Sequence, residues 1–483
     1  MMDLLSSLTG WKTGRAGPLH SRLAGALRTA IERGEVVPGF RLPPERQLAQ
    51  TLGISRTTVV TAYDALRDED LLESRQGSGT WVRETPDLES ARLAARSPGG
   101  LERHLVPRAL SGGPAAIDFL GACLPALPGT IEEALALAGR DLGRLSTTSG
   151  YAPLGLDRLR QAIAARFGAG GLETRPEQVL VTNGAQQAIS LLASLLLRRG
   201  DRVVLEDPTY PGAIDAFAAT GATLVPAPLG PDGVEVDALA DLCARVRPRL
   251  VYVMPTFQNP TGAVMKPPER LALARLGQRT GIVVVEDNTL ADLALEGPPP
   301  PPVASLLPDA PIVTIGSMSK LFWGGLRVGW LRAPDGLLRR LGSLKVAQDL
   351  GGSMLSQAVA VRLLERFDEV RAARIDEARR RLAALLSLLA DHLPTWRYRR
   401  PAGGLSLWAR LPLGDAERLA EVAQRHGVSV VPGPVTSPTG GFPDHLRLVF
   451  VQDEEALREG VERLARAFRA TRPQATQSLG VIV

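Results

Sequence analysis

The feature that most constrains this chain is a series of short apolar runs separated by amphipathic stretches of helical length. Val179 to Val181, Val203 to Leu205, Leu250 to Val253, Ile282 to Val285 and Ile312 to Ile315 each suit a strand and are too short for a helix. Apolar character without alternation marks strands covered on both faces. Strands alternating with helices predict a mostly parallel sheet. After Leu337 the pattern becomes a long helical stretch, then a smaller α+β unit from about Trp396. We expect residues 116–474 to form one α/β domain, with its small subdomain at about 390–474.

Ahead of it, residues 17–84 read as a separate small module. Leu19, Leu23, Leu27 and Ile31 recur at helical spacing. Pro43 and Pro44 precede a second helix over Glu45 to Leu52, which Gly53 stops. Proline is tolerated in a first helical turn, where its missing N–H has no partner. Ser55 suits the N-cap of a third helix over Arg56 to Asp68. Two short extended segments, Leu71 to Ser74 and Thr80 to Val82, flank a Gly-rich tip at Arg75 to Gly79. Three helices and a hairpin make a winged helix-turn-helix, mostly α with a β-hairpin wing. Residues 85–115 carry Pro86, Pro98-Gly99-Gly100, Pro107 and Gly112-Gly113-Pro114, the composition of a linker, with a short helix expected near Leu88 to Arg96. With 483 residues, several folding units are expected.

No apolar run reaches membrane-spanning length, and the first residues lack a signal-peptide pattern, so a cytoplasmic protein is expected. Cys123 and Cys243 have no metal-ligand spacing, and no metal is expected. The net charge of +5 comes almost wholly from arginine, because the lysines are only Lys12, Lys266, Lys320 and Lys345. Arginine stays protonated and cannot form a Schiff base, so lysine chemistry has few candidates.

Lys320 closes Ser317-Met318-Ser319-Lys320, just beyond a strand ending at Ile315, with Arg327 seven residues on. Such a lysine can attack an aldehyde once deprotonated. The hydroxyls and the arginine suit a doubly negative phosphate. Alone, the motif is weak, and a surface lysine in a Ser-rich turn is the favoured reading of it. Four further pieces also lie at strand ends. Gly184-Ala185-Gln186 opens a helix and can receive a phosphate. Tyr210 can stack on a ring. Asn259, in Asn259-Pro260-Thr261-Gly262, can donate to a phenolate oxygen. Asp287 can pair with a protonated ring nitrogen.

In this order the pieces resemble the fold-type-I aminotransferases. The resemblance covers about three quarters of the chain and implies pyridoxal 5'-phosphate. It implies that Lys320 forms the internal aldimine, Asp287 meets the pyridine nitrogen, Asn259 the phenolic oxygen, and Tyr210 stacks on the ring. Ala185, Gln186, Ser317 and Arg327 would hold the phosphate. Tyr151, in Gly150-Tyr151-Ala152-Pro153, resembles the tyrosine that reaches the partner subunit's phosphate. Arg447, in Leu446-Arg447-Leu448, resembles the arginine that clamps a substrate α-carboxylate, although a surface arginine on a strand is the plain alternative.

The N-terminal module resembles the GntR winged helix through Leu42-Pro43-Pro44-Glu45-Arg46-Gln47-Leu48-Ala49, Ile54-Ser55-Arg56-Thr57-Thr58-Val59 and Gln76-Gly77-Ser78-Gly79-Thr80. Many members have Ser where this chain has Pro44, which the first helical turn should accept. Arg56, Thr57 and Thr58 open the recognition helix and can meet bases or phosphates. Arg46 is placed for a phosphate or base, and Gln76-Gly77 forms the wing tip. The module's charges nearly balance, so a DNA footprint needs Arg41, Arg46, Arg56 and Arg75 segregated from Asp64, Asp68, Glu69 and Asp70. A winged helix that contacts protein is the weaker alternative.

A winged helix ahead of an aminotransferase-like domain is the arrangement of the MocR subgroup of GntR regulators. The likeness implies a head-to-tail homodimer that binds operator DNA and senses an amino compound through aldimine exchange at Lys320. The rivals are an active aminotransferase and a sensor of pyridoxal phosphate itself. One position departs from the subgroup: Thr289 stands where a tyrosine usually donates to the cofactor oxygen. Fewer donors to that phenolate favour the protonated aldimine. The aldimine pKa should therefore drop in Thr289→Tyr, and overlapping spectrophotometric pH titrations of the two proteins would contradict this.

Overall fold

The computed structural model describes residues 11, 18–32, 36, 40–68, 71–75, 79–82, 117–412 and 415–471. Gln76, Gly77, the 85–115 linker and its expected helix lie outside the described residues. The chain divides into two compact units, Met1–Leu101 and Glu102–Val483.

In the first unit, α1 (Leu19–Glu32), α2 (Glu45–Leu52) and α3 (Arg56–Asp68) precede a hairpin of β1 (Leu72–Arg75) and β2 (Gly79–Val82). Leu23, Leu27, Leu48, Val59, Ala62, Tyr63 and Leu66 form its core. The Tyr63 hydroxyl donates to the Pro43 carbonyl at 3.0 Å, tying α3 to the turn before α2. Ser55 caps α3 as its position suggests, accepting from the Thr58 N–H at 3.1 Å. Pro44 differs from expectation. It is the N-cap of α2 rather than a first-turn residue, and it provides no side-chain acceptor there. The end of α2 instead closes with Gly53 in the left-handed region at φ 62°.

The second unit is built on an eight-stranded sheet. Its strands are β4 (Val179–Thr182), β5 (Arg202–Asp207), β6 (Thr223–Gly230), β7 (Gly233–Val234), β8 (Leu250–Val253), β9 (Val283–Asp287), β10 (Ile312–Ser317) and β11 (Gly329–Arg332). Their spatial order is β4-β11-β10-β9-β8-β5-β6-β7. Strands β6, β5, β8, β9 and β10 are mutually parallel. Only β11, antiparallel to both neighbours, and the terminal β7 run against them. The five apolar runs of the sequence all become strands of this sheet. Strand β6 escapes a sequence reading because Pro226 and Pro228 interrupt it. It lies next to the sheet's end, where the short β7 bonds only Leu229 and Gly230, so the missing N–H groups cost little.

After the sheet come α4 (Asp335–Asp349), α5 (Met354–Glu365) and the long α6 (Phe367–His392). The small subdomain has an antiparallel sheet in the order β12 (Arg397–Tyr398), β13 (Ser406–Arg410), β16 (His445–Val449), β15 (Val431–Pro432). The first described strand of this unit, β3 (Ile117–Asp118), pairs in parallel with β14 (Val428–Ser429). The described part of this unit thus begins in its C-terminal subdomain.

Candidate functional site

Parallel strands all present their C-terminal ends on one side, and ligands of open α/β sheets bind there. Strand β9 delivers Asp287, the end of β10 and the turn after it deliver Ser317, Ser319 and Lys320, and the turn after β4 delivers Ala185 and Gln186. A cavity of about 240 Å³ is lined by Ala185, Gln186, Tyr210, Asn259, Asp287, Thr289, Ser317, Lys320 and Arg327, together with Cys123 and Ser319. Positions singled out in widely separated stretches of the sequence therefore line one cavity.

Asp287 is buried, and its carboxylate is doubly held. One oxygen accepts from the Tyr252 hydroxyl at 2.6 Å and the other from the Thr289 N–H at 3.0 Å. Burial, and then the charge of Asp287, push the Tyr252 phenol well above its ordinary range, so it remains a donor. Asp287 makes no ion pair among the described residues. The Tyr210 hydroxyl donates to Gln186 Oε1 at 3.0 Å, and the Gln186 amide donates to the Gly212 carbonyl at 2.7 Å. Burial, followed by Asp287, raises the Tyr210 pKa to about 12. Lys320 Nζ lies 3.4 Å from Cys123 Sγ.

Arg327 adopts a left-handed backbone at φ 52°, uncommon outside glycine, and donates from Nη2 to the Asn183 carbonyl at 3.0 Å. Gly184, at φ 79°, makes room for it: a Cβ there would fall 2.8 Å from that guanidinium nitrogen.

Arg447 is not the surface arginine that its place on a strand allowed. It is 3% exposed, and Nη1 donates to Asn259 Oδ1 at 3.3 Å while Nη2 donates to the Leu120 carbonyl. Asn259 thus turns its oxygen to Arg447, which leaves its NH₂ as the donor. Burial lowers the Arg447 pKa to about 10, and no carboxylate pairs with it among the described residues. Tyr151 is not brought into the cavity. It is 68% exposed.

On the first unit Arg46, Arg56 and Thr57 are exposed at the starts of α2 and α3. Thr58 is half-buried, and its hydroxyl lies 2.8 Å from Ser55 Oγ, so it serves the helix cap. Arg41 lies over the Trp81 ring of the wing at 5.9 Å.

The family described as "Aminotransferase class I and II" matches residues 126–464, and "Bacterial regulatory proteins, gntR family" matches residues 19–82. Over 476 residues the chain is 32% identical to the probable rhizopine catabolism regulatory protein MocR of Rhizobium meliloti, covering 94% of each chain. The chain belongs to the MocR-type regulators. The larger part of this MocR-type protein is 37% identical over 348 residues to a 2-aminoadipate transaminase of Thermus thermophilus, covering 70% of this chain and 85% of that one. It also superposes on LysN, an alpha-aminoadipate aminotransferase from Thermus thermophilus complexed with N-(5'-phosphopyridoxyl)-L-leucine. There the TM-score is 0.72 and the identity 34%, covering 79% of this chain and 98% of that one. No helix among the described residues of this MocR-type chain is long and apolar enough to cross a membrane.

The sequence reading missed Tyr252, Cys123 and Glu206, whereas Ser319 stood within the Lys320 motif. Tyr252 stood inside an apolar run and read as core. Its register opposite Val285, two residues before Asp287, was the available signal. Glu206 is fully buried on β5, accepting from the Met254 N–H at 3.0 Å and the Gln258 amide at 3.2 Å. Burial raises its pKa from 4.5 to about 8, against the lowering effect of those two donors, with Asp287 adding to the rise. The folded state therefore holds a proton that the unfolded chain loses near pH 4.5. Glu206's contribution to stability is complete below that pH and disappears as pH rises through about 8. Glu206→Gln keeps the neutral shape. Its melting temperature should gain on the wild type by several degrees between pH about 5 and about 9, and parallel Tm curves would contradict this.

Proposed function

We propose that this MocR-type protein is a pyridoxal-phosphate-dependent transcription regulator. It senses an amino compound in the Lys320 cavity and reports its presence to operator DNA. The observation that carries this reading is Asp287, a buried carboxylate facing the cavity with hydrogen-bond donors but no ion pair among the described residues. A protonated ring nitrogen is the partner that such a group lacks. The rest of the lining fits the same molecule. Two serines, an arginine and a helix N-terminus suit its phosphate. A half-buried tyrosine suits its ring, and the Asn259 amide suits its phenolic oxygen.

Bound there, pyridoxal phosphate supplies an aldehyde that takes up amines and a ring that withdraws electrons. Lys320 is the residue that would hold it covalently. Asp287 would meet the ring nitrogen, with Tyr252 and the Thr289 N–H fixing its two oxygens. Ala185, Gln186, Ser317 and Arg327 would fix the phosphate. Arg447 is a buried cation with no ion pair among the described residues, and its planar fork suits the carboxylate of an amino acid effector.

The functional unit in this reading is a head-to-tail homodimer. Tyr151, Val346, Leu350 and Leu355 are apolar or aromatic side chains exposed around one segment, where the Gly351 backbone packs on Ala152. A second copy covering that face would bring Tyr151 to its phosphate. A dimer also supplies the paired winged helices that a two-fold operator requires. An effector shifts DNA affinity only as far as it favours one arrangement of the dimer over another.

Borohydride reduction of the cofactor-saturated protein should place the pyridoxyl mass on the peptide with Lys320. Titration with an amino acid and amine panel should change the absorbance without sustained 2-oxo acid turnover. A label elsewhere rejects the site, and turnover at enzyme-like rates favours the aminotransferase. On the DNA side, Arg56→Ala should cost about tenfold in operator affinity and relax base preference, as for loss of one bidentate base contact. A uniform loss across all sequences would reduce Arg56 to a phosphate contact.

A further inference from the structure

Of the four lysines, Lys345 on α4 is fully buried in its side chain. It does not face the cavity. Its ammonium donates to both oxygens of Asp349, one turn later, at 2.7 Å each. Asp349 also accepts from the Gln187 amide at 2.7 Å, the Asn183 amide at 3.1 Å and the Gly351 N–H at 2.9 Å. Burial opposes its ionisation, and the bonds from Lys345, Gln187 and Gly351 outweigh that, holding its carboxyl below the usual range.

These bonds converge on the turn that opens the helix Ala185–Leu196. Asn183 is fixed at three points. Its side chain is bound to Asp349, its N–H donates to Gln187 Oε1 at 2.8 Å, and its carbonyl accepts from Arg327 at 3.0 Å. Between Asn183 and Gln187 lie Gly184, Ala185 and Gln186. The Lys345–Asp349 pair is thus joined through Asn183 to Arg327, and through Asn183 and Gln187 to the helix N-terminus.

We propose that Lys345 and Asp349 are positioning residues that hold the phosphate cradle in shape without touching the cofactor. This rests on the reading of Ala185, Gln186, Ser317 and Arg327 as the phosphate site. A buried ion pair is a poor source of stability, because apolar residues of similar volume often serve the fold as well. What apolar residues cannot supply is an acceptor that orients the Asn183 and Gln187 amides together. Removing the pair should therefore spare the fold and slacken the cradle.

The test compares binding of pyridoxal phosphate and of pyridoxal, which lacks the phosphate, to full-length apo-protein by absorbance. The variants are Asp349→Asn and the double replacement Lys345→Met with Asp349→Leu, which leaves no charge buried alone. Phosphate-dependent affinity should fall about tenfold in both, the worth of one charged hydrogen bond, while pyridoxal affinity changes less than about twofold. Equal losses for both ligands, or unchanged affinity for pyridoxal phosphate, would overturn the positioning role. Wild-type protein that binds both ligands equally well would instead overturn the phosphate site itself, and the proposal with it.

Discussion

The cavity is organised around a buried carboxylate that forms no ion pair among the described residues. Asp287 ends a central parallel strand, so its side chain is buried, and a buried polar group needs hydrogen-bond partners to hold it. Tyr252 donates to it at 2.6 Å from the neighbouring strand, and its own burial keeps it from losing that proton. The arrangement depends on register. Tyr252 lies opposite Val285 and Asp287 lies opposite Ile315. A one-residue slip of either pairing would turn the donor or the carboxylate to the wrong face.

That dependence explains how much was legible beforehand. Apolar runs and their spacing fix strands and order, and so they place Ala185, Tyr210, Asn259, Asp287, Ser317 and Lys320 at strand ends. Motif reading needs no more than that. Tyr252 was hidden because a phenol in the run Leu250 to Val253 looks like any other core side chain until the neighbouring strand is known. Cys123 and the Leu120 carbonyl were hidden for another reason. They reach the site through the small subdomain, by way of a two-residue pairing of β3 with β14 that no periodicity announces. Pro44 shows the limit at the scale of a single turn, since a proline before a helix suits both the cap and the first turn.

Arg447 connects parts that the sequence separates widely. It stands on β16 of the small sheet, bonds Asn259 beside the large sheet, and bonds the Leu120 carbonyl just after the described chain enters the second unit. A carboxylate that engages this guanidinium competes with bonds that tie the entry segment to both subdomains. On the proposed function, such an exchange would give an effector different contacts in different arrangements. That difference is the only way in which binding energy becomes a change in DNA affinity.

Two buried cations of the second unit, Lys345 and Arg447, make the final distinction. Lys345 has a carboxylate at 2.7 Å and two amides sharing it, so its charge is satisfied within the fold and its work is architectural. Among the described residues Arg447 has only carbonyl-type acceptors, and burial already lowers its pKa to about 10. A fold that keeps a guanidinium in that condition retains a standing preference for an anion, just as Asp287 retains one for a cation. An amino acid joined to pyridoxal phosphate brings both, a carboxylate at one end and a ring nitrogen at the other. The two deficits are complementary to one molecule, and neither is met by an ion pair among the described residues.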